Sequence, residues 1–554
     1  MAHTITIMQV NVGRGGPAHE IALNLGFENH YDIICIQEPW ISRDVTRRLT
    51  KRHPGYETLS PTEDWITRPR VLTYIRRDSN LQVHQLNLRG SWHSSSDVLA
   101  ARVNNSTIYN IYRPPNEPSN GPIITGFALN PPEPHSIILG DFNTHHEAWD
   151  PIVQDRSTGA ETLNSWITQH HLSLISPAGI PTHNLGHVLD LAFSNIEGAK
   201  GYIEEHLHST SDHVTLSLYF SNSSAPPRPK GRFRYNAINE KLFNQTLSQT
   251  IGTHHEPPSQ TPQDIDERAE HLTKSIRTAL EASTPRSLPG AKGAPWWTVE
   301  CKEAALSYRQ ARRAKGPQGA SQEQQHLRRV TRAAKKAFWN EQINSADSPT
   351  KVYKITNWHK STGRYRSPPI TEGSRTATTP AEKAKLLKEV ILDCAQQFTN
   401  PPELPPSPQR EQIPWSDVST QEVHAALLGA TSTSPGIDEI PLRVLRLAWP
   451  IIQDHITSLY RSCITQGYHP TPWKQAETVM CPKQGGKRKL TSPKAWRPIA
   501  LLSCLSKGLE RLIARRMARL AIQHKSLHPN TLGHYLSVER LTLLLPLFMT
   551  LTKL

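Results

Sequence analysis

The chain has 554 residues, of which 36% are hydrophobic and 45 are proline, enough for two to four separately folding domains joined by extended connectors. Its net charge of +15 is unevenly placed: residues 1–221 carry 15 Lys and Arg against 22 Asp and Glu, leaving 48 against 26 in residues 222–554. The basic part is expected to meet a polyanion, RNA or DNA first, although a solvated helical face has the same composition, and six scattered cysteines without a C-x-x-C pair exclude a zinc knuckle or redox motif.

The chain opens on "MAHTITIMQVNVG", an alternating apolar strand with no basic leader ahead of an apolar core. The runs "YDIICIQ", "RVLTYIR", "VLAARV", "STIYNIY", "SIILG", "VLDLAF" and "VTLSLYF" have strand length and β-branched content, while "AHEIALNLGF" and "ETLNSWITQHHL" have helical period. An α/β or α+β class with a large sheet system follows. Beyond the Ser/Pro boundary "SNSSAPPRPKGRFR", helices are expected at "DIDERAEHLTKSIRTALEAS", 298–314 and 321–345. A second proline-rich connector, "TNPPELPPSPQREQIPW", precedes a last helical region. The apolar stretch "LTLLLPLFMTL" is too short to span a bilayer, so no membrane is expected, and the thiols read as reduced and intracellular.

Several strands of the first region end on a polar group. Asn11 follows "TIMQV", Glu38 follows "IICIQ", Tyr112 ends "YNIY", Asp141 and Asn143 follow "IILG", Asp190 lies in "VLDLAF", and Asp212 and His213 precede the last strand. Polar strand ends can converge on one rim of a sheet, where loops leave room for a ligand. The chemistry they would support is metal-assisted phosphodiester hydrolysis, because Mg²⁺ needs one or two carboxylates and keeps several waters. Glu38 suits the ligand role, helped by Asp212, with Asn11 orienting the ligand. Asp141 can take a proton from water, Asn143 can donate to the phosphoryl oxygen, His213 paired with Asp190 can polarise the phosphate, and Tyr112 can donate to a non-bridging oxygen. Singly, each has a plainer reading as a turn former, a helix cap or packing. Strand periodicity places Asp141 and Asn143 on one side, with Phe142 turned into the core.

The ordered set "QVNVGRG", "CIQEPW", "IYRPPN", "ILGDFNTHH", "IPTHN", "VLDLAFSN" and "STSDHV" resembles the endonuclease/exonuclease/phosphatase superfamily, specifically the AP-endonuclease-like nuclease of non-LTR retrotransposons. The resemblance covers 1–221 and implies a four-layered α/β sandwich, a Mg (or Mn) ion, a nicking activity on a DNA target and a nuclear location. It carries over the eight residues above and adds Thr182 of "IPTHN" and His145 as nucleic-acid contacts. A phosphomonoesterase or phospholipid phosphatase of the same fold, and a non-catalytic nucleic-acid-binding remnant, are the alternatives.

Further on, "TSPGIDEIPLRVLRLAW" and "TPWKQAETVMCPKQGGKRKLTSPKAWRPIALLSCLSKGLERLIARRM" resemble the fingers region of a retrotransposon reverse transcriptase. Lys483, Lys487, Arg488, Lys489 and Arg497 form a basic cluster suited to phosphates, with an RNA template as the implied partner. No Asp follows Trp496 and no Tyr-x-Asp-Asp occurs, so the paired carboxylates of a two-metal polymerase centre are missing. The expectation is a truncated reading frame: nuclease at 1–221, a linker with one helix at 222–295, a basic helical connector at 296–362, a Pro-rich linker at 363–415, and incomplete, loosely packed fingers at 416–554.

Overall fold

The computed structural model describes residues 3–44, 48–62, 65, 67–93, 95–153, 155–222, 231–252, 261–287, 290, 292–358, 366–393, 416–430, 434–483 and 489–524. Strands run in chain order as β1 (His3–Asn11), β2 (Ile33–Gln37), β3 (Tyr56–Leu59), β4 (Val71–Arg76), β5 (Val83–Gln85), β6 (Val98–Val103), β7 (Ser106–Tyr112), β8 (Ser136–Asp141), β9 (Ser173–Leu174), β10 (Asp190–Ser194), β11 (Lys200–Ile203) and β12 (Leu216–Asn222). Helices α1 (Gly16–Glu28), α2 (Pro122–Leu129) and α3 (Ala160–Gln169) lie among them. After β12 come α4 (Glu240–Ile251), α5 (Pro262–Ser283), α6 (Val299–Gly319), α7 (Ser321–Asn344), α8 (Pro349–Trp358), α9 (Pro380–Leu387), α10 (Thr420–Leu428), α11 (Leu442–Thr465) and α12 (Cys504–Gln523).

The strands form two six-stranded sheets, β11-β12-β1-β2-β4-β3 and β5-β6-β7-β8-β10-β9. Two-residue periodicity decides what each face buries. Ile5 and Ile7 of β1, Ile33 and Cys35 of β2, Ile108 of β7 and Ile137 and Leu139 of β8 share one core between the sheets. The alternate residues Met8, Val10, Ile34 and Ile36 face a second core with α1, Trp296, Trp297 and the apolar stripe of α6 and α7. On the other sheet, Tyr109, Ile111 and Ile138 pack against Ile123, Ile124 and Phe127 of α2 and Leu163 and Trp166 of α3. Helix, sheet, sheet and helix make the four layers the sequence implies. Each fully buried Ile or Leu in these cores contributes about 1.5–3 kcal/mol.

The chain divides into two compact units: residues 1–229, 288–397 and 484–495, and residues 230–287, 398–483 and 496–554. This redraws the expected connectors. The segment 222–295 holds two long helices, α4 and α5, rather than one in a linker. Their residues Phe243, Leu247, Ile265, Leu272 and Ile276 share a core with Leu427, Leu445, Ile452, Tyr460, Leu505 and Leu509 of α10, α11 and α12. Helices α10 to α12 are therefore packed through their described residues, not loose, because their apolar faces meet one another and those of α4 and α5. The basic hairpin of α6 and α7, read from sequence as a connector, is part of the first unit.

Candidate active site

The inward face of each central strand is apolar along its length and turns polar at one end. On β1 the series Ile5, Ile7 continues as Gln9 and Asn11; on β2 Ile33, Cys35 continues as Gln37; on β8 Ile137, Leu139 continues as Asp141. Register brings the ends together, with Asn11 opposite Gln37, Tyr112 opposite Asp141, and Asp190 opposite Asp141. Hydrogen bonds then cross between the sheets. Asn11 Nδ2 donates to Asp141 Oδ2 at 2.8 Å, Gln9 Nε2 to Asp190 Oδ1 at 3.4 Å, and Gln37 Nε2 to Asn110 Oδ1 at 2.7 Å.

Asp141 and Asp190 are 2% and 1% exposed, so neither charge is relieved by bulk water. His213 Nδ1 sits 2.7 Å from Asp190 Oδ2. Burial works against a charge on His213, but the Asp190 carboxylate outweighs it and holds the imidazole pKa up to about 10. Burial, and next the neighbouring Asp190, push the Asp141 carboxyl up to about 7. The site thus pairs a cationic imidazole with a carboxyl poised near neutrality, an arrangement suited to taking a proton while stabilising developing negative charge.

On the opposite side, Glu38 Oε1 accepts from Tyr112 OH at 3.0 Å and from Arg14 Nη2 at 2.8 Å. Burial and then the Glu38 and Asp141 carboxylates raise the Tyr112 pKa, which keeps its hydroxyl a donor. Glu38 has φ 45° and Asn143 φ 43°, left-handed conformations at the ends of β2 and β8. Such backbones cost about 1 kcal/mol or more for a residue with a Cβ and cluster at functional sites. Ser211 Oγ donates to the Asn11 carbonyl at 2.6 Å and lies 3.1 Å from Asp212 Oδ1. The positive charge of His213 helps overcome the burial that would otherwise raise Asp212, and its pKa is lowered.

Three expected roles change. Asn11, read as a metal-side amide, commits Nδ2 to Asp141 and Oδ1 to the Gly13 amide at 2.8 Å, so it orients the Asp141 carboxyl and the following turn. Asn143 does not continue the strand period, because its left-handed φ turns it aside; Nδ2 donates to the Arg113 carbonyl at 2.9 Å, leaving its second amide hydrogen for a substrate. Thr182 is 1% exposed, and its hydroxyl accepts from the Leu189 and Asp190 amides at 2.9 Å each, which makes it a support for Asp190 rather than a nucleic-acid contact. His145 lies on the loop after β8 with its ring edge-on to His187. Phe142 is buried as expected, against α2 and α3.

In the other unit, Arg497 is exposed on a hairpin of Glu477–Pro482 with Trp496–Leu501, and Lys483 is half-buried just beyond that strand. Lys487 and Arg488 lie outside the described residues.

Sequence reading missed Gln9, Gln37 and Asn110, and it missed Arg113 although "YRPPN" was in view. The Arg113 guanidinium is buried: Nε donates to Glu117 Oε2 at 3.0 Å, Nη1 to the Asn143 carbonyl at 3.0 Å, and Nη2 to the Thr158 carbonyl at 2.7 Å. It also missed what holds the Asp212 loop. Arg328 Nη2 and Gln324 Nε2 of α7 donate to the Thr210 carbonyl at 2.8 and 3.1 Å, where Thr210 has φ 75°.

Beside Glu38 opens a cleft of about 940 Å³ lined by Arg14, Trp40, Arg43, Arg68 and Arg70.

Residues 106–217 match the family described as "Endonuclease-reverse transcriptase". The chain is 24% identical over 428 residues, 72% of its length, to the "Probable RNA-directed DNA polymerase from transposon BS" of Drosophila melanogaster, covering 46% of that protein. It is 30% identical over 123 residues, 22% of its length, to the Pol polyprotein of the type-1 retrotransposable element R2 of Popillia japonica, covering 15% of it. The chain thus spans less than half the length of these relatives. The endonuclease domain of TRAS1, a telomere-specific non-LTR retrotransposon, aligns with a TM-score of 0.32 at 17% identity, covering 39% of this chain and 98% of that one. Part of the first unit thus matches an endonuclease-reverse transcriptase family, and the chain is similar over most of its length to a probable RNA-directed DNA polymerase of a transposon.

Proposed function

We propose that the first unit is a divalent-metal-dependent endonuclease that nicks DNA. The observation that carries this reading is the convergence of Asp141 with Asn11, His213 with Asp190, and Glu38 with Tyr112 on one rim between the sheets. Asp141, aligned by Asn11, accepts the proton of the attacking water. His213, kept cationic by Asp190, faces the charge that builds on the phosphoryl oxygens, and Tyr112 and the free amide hydrogen of Asn143 donate to the same group. The donor set fits Mg²⁺ or Mn²⁺: Glu38 and Asp212 offer hard carboxylate oxygens on this rim. Bound there, the ion would polarise the phosphoryl oxygen and stabilise the leaving group. The arginine-lined cleft beside Glu38 favours a long polyanion over a small monoester. A chromosomal target would place the protein in the nucleus, and the Lys and Arg excess after residue 221 would hold an RNA template.

The test is nicking of supercoiled plasmid by the full chain with Mg²⁺, which EDTA should abolish. Asp141→Ala and His213→Ala should each slow nicking by about a hundredfold or more. Near-normal rates in both would dismiss the site. Phosphate release from a monoester without nicking would favour a phosphatase instead.

A further inference from the structure

We infer that the loops flanking this rim form a second metal centre, separate from the catalytic one, in which His145, Asp150 and His187 hold a divalent transition metal such as Zn²⁺. His145 and Asp150 lie on the loop after β8, and His187 lies on the loop leading into β10. His145 Nδ1 is 3.9 Å and His187 Nδ1 3.8 Å from the same oxygen, Asp150 Oδ2, and the three atoms lie within 4.8 Å of one another.

These separations are too long for hydrogen bonds, which fail beyond about 3.5 Å. His145 Nδ1 is buried without a hydrogen-bond partner. The Asp150 side chain is 2% exposed, and its Oδ2 accepts a long 3.3 Å bond from the Val188 amide. Two ring nitrogens therefore face one buried carboxylate oxygen without closing on it, an arrangement that leaves desolvated groups poorly satisfied. An ion between them removes the deficit. In a tetrahedral zinc site, metal bonds of about 2.0–2.2 Å put neighbouring ligand atoms roughly 3.3–3.5 Å apart. Each of the two nitrogen-to-oxygen separations must close by about half an ångström, and the half-exposed His187 side chain has the freedom to move. Burial and the neighbouring His187 lower the His145 pKa, so its imidazole is neutral and able to ligate.

The ligand chemistry separates this centre from the catalytic rim. Two imidazoles and one carboxylate suit Zn²⁺ or Co²⁺, whereas Mg²⁺ prefers oxygen donors. The other histidine and aspartate group, His183, Asp212 and His213, belongs to the catalytic rim. An ion on His145, Asp150 and His187 would clip together the two loops adjoining Asn143 and Asp190. This inference does not depend on the nuclease reading.

The test is Zn²⁺ titration of the tag-free full chain by calorimetry with Mg²⁺ in excess, together with the visible absorption of the Co²⁺-substituted protein. One tightly bound equivalent is expected, with Kd below ~1 µM and a tetrahedral Co²⁺ spectrum. His187→Ala, at a half-exposed position, and Asp150→Asn should each weaken binding at least about tenfold, while Asp212→Asn should leave it intact. Absence of stoichiometric binding to the wild type, unchanged binding by His187→Ala with native circular dichroism, or loss of binding by Asp212→Asn alone would each overturn the assignment.

Discussion

Arg113 and Glu117 are the plainest case of a pair whose partners cannot be separated. Their side chains are 1% and 2% exposed with Nε and Oε2 3.0 Å apart. Truncating Arg113 leaves Glu117 buried without its cation, so Arg113→Ala should cost about 3–5 kcal/mol, measured by urea unfolding of the full chain. His19 makes a pH-dependent contribution. Its Nδ1 accepts from the Trp40 amide at 3.2 Å, and its Nε2 meets Tyr74 OH at 2.9 Å, while that hydroxyl donates to the Lys51 carbonyl. The ring is therefore held as one neutral tautomer. Burial, then the Lys51 charge, lower its pKa from 6.5 to about 3. Below pH 6.5 the unfolded chain gains a proton the folded one refuses, so this stabilisation is complete above pH 6.5 and is lost as pH falls toward 3, at up to about 1.4 kcal/mol per pH unit. His19→Gln should flatten the dependence between pH 7 and 5 by about that amount relative to wild type; parallel curves would show that the ring titrates freely. Charged letters at strand ends were legible, because Asp and Glu after an apolar run are conspicuous. Gln9, Gln37 and Asn110 were not: each is a single uncharged residue inside an apolar run, and only cross-sheet register gives it a partner.

Among elements, the long central strands declared themselves through alternation between two different cores. Edge strands such as Ser173–Leu174 and Lys200–Ile203 are short and partly exposed, so they carry little hydrophobic signal. The hairpin of α6 and α7 shows the other limit of sequence. Its period reveals an apolar stripe but not the surface that covers it, which is the outer face of β1, β2 and α1. Besides holding the Thr210 carbonyl, this hairpin places Arg312 Nη2 3.1 Å from Asn184 Oδ1, and the Asn184 amide donates to the Asp212 carbonyl at 3.0 Å. Arg328→Ala removes a charge-assisted hydrogen bond from the loop carrying Asp212 and His213. It should lower plasmid nicking about tenfold, equivalent to about 1.4 kcal/mol of lost alignment, with unchanged circular dichroism and partial rescue by Arg328→Lys. Wild-type nicking in Arg328→Ala would reduce these contacts to packing.

For the molecule as a whole, charge is the property that the sequence distributes most unevenly. Residues 222–554 carry 48 Lys and Arg against 26 Asp and Glu, so nucleic-acid binding by the full chain should weaken steeply with salt through counterion release. The core of α4, α5 and α10 to α12 is well packed, and no Asp follows Trp496 to offer the paired carboxylates of a two-metal polymerase centre. Primer extension on an RNA template should be absent with Mg²⁺ or Mn²⁺ in preparations that nick DNA. Template-dependent incorporation would mean that carboxylates elsewhere in the chain assemble a polymerase centre.

Gly140 sits opposite Ile111 in the parallel pairing of β7 and β8, and a Cβ there would lie 1.8 Å from the Ile111 carbonyl oxygen. No rotamer change can relieve a clash with backbone, so even Gly140→Ala must pry apart the two strands that carry Tyr112 and Asp141. That one change would keep every polar side chain of the rim and still spoil their arrangement. A census of the rim's acids and histidines alone would miss it, which makes the silent glycine the better marker of an intact rim.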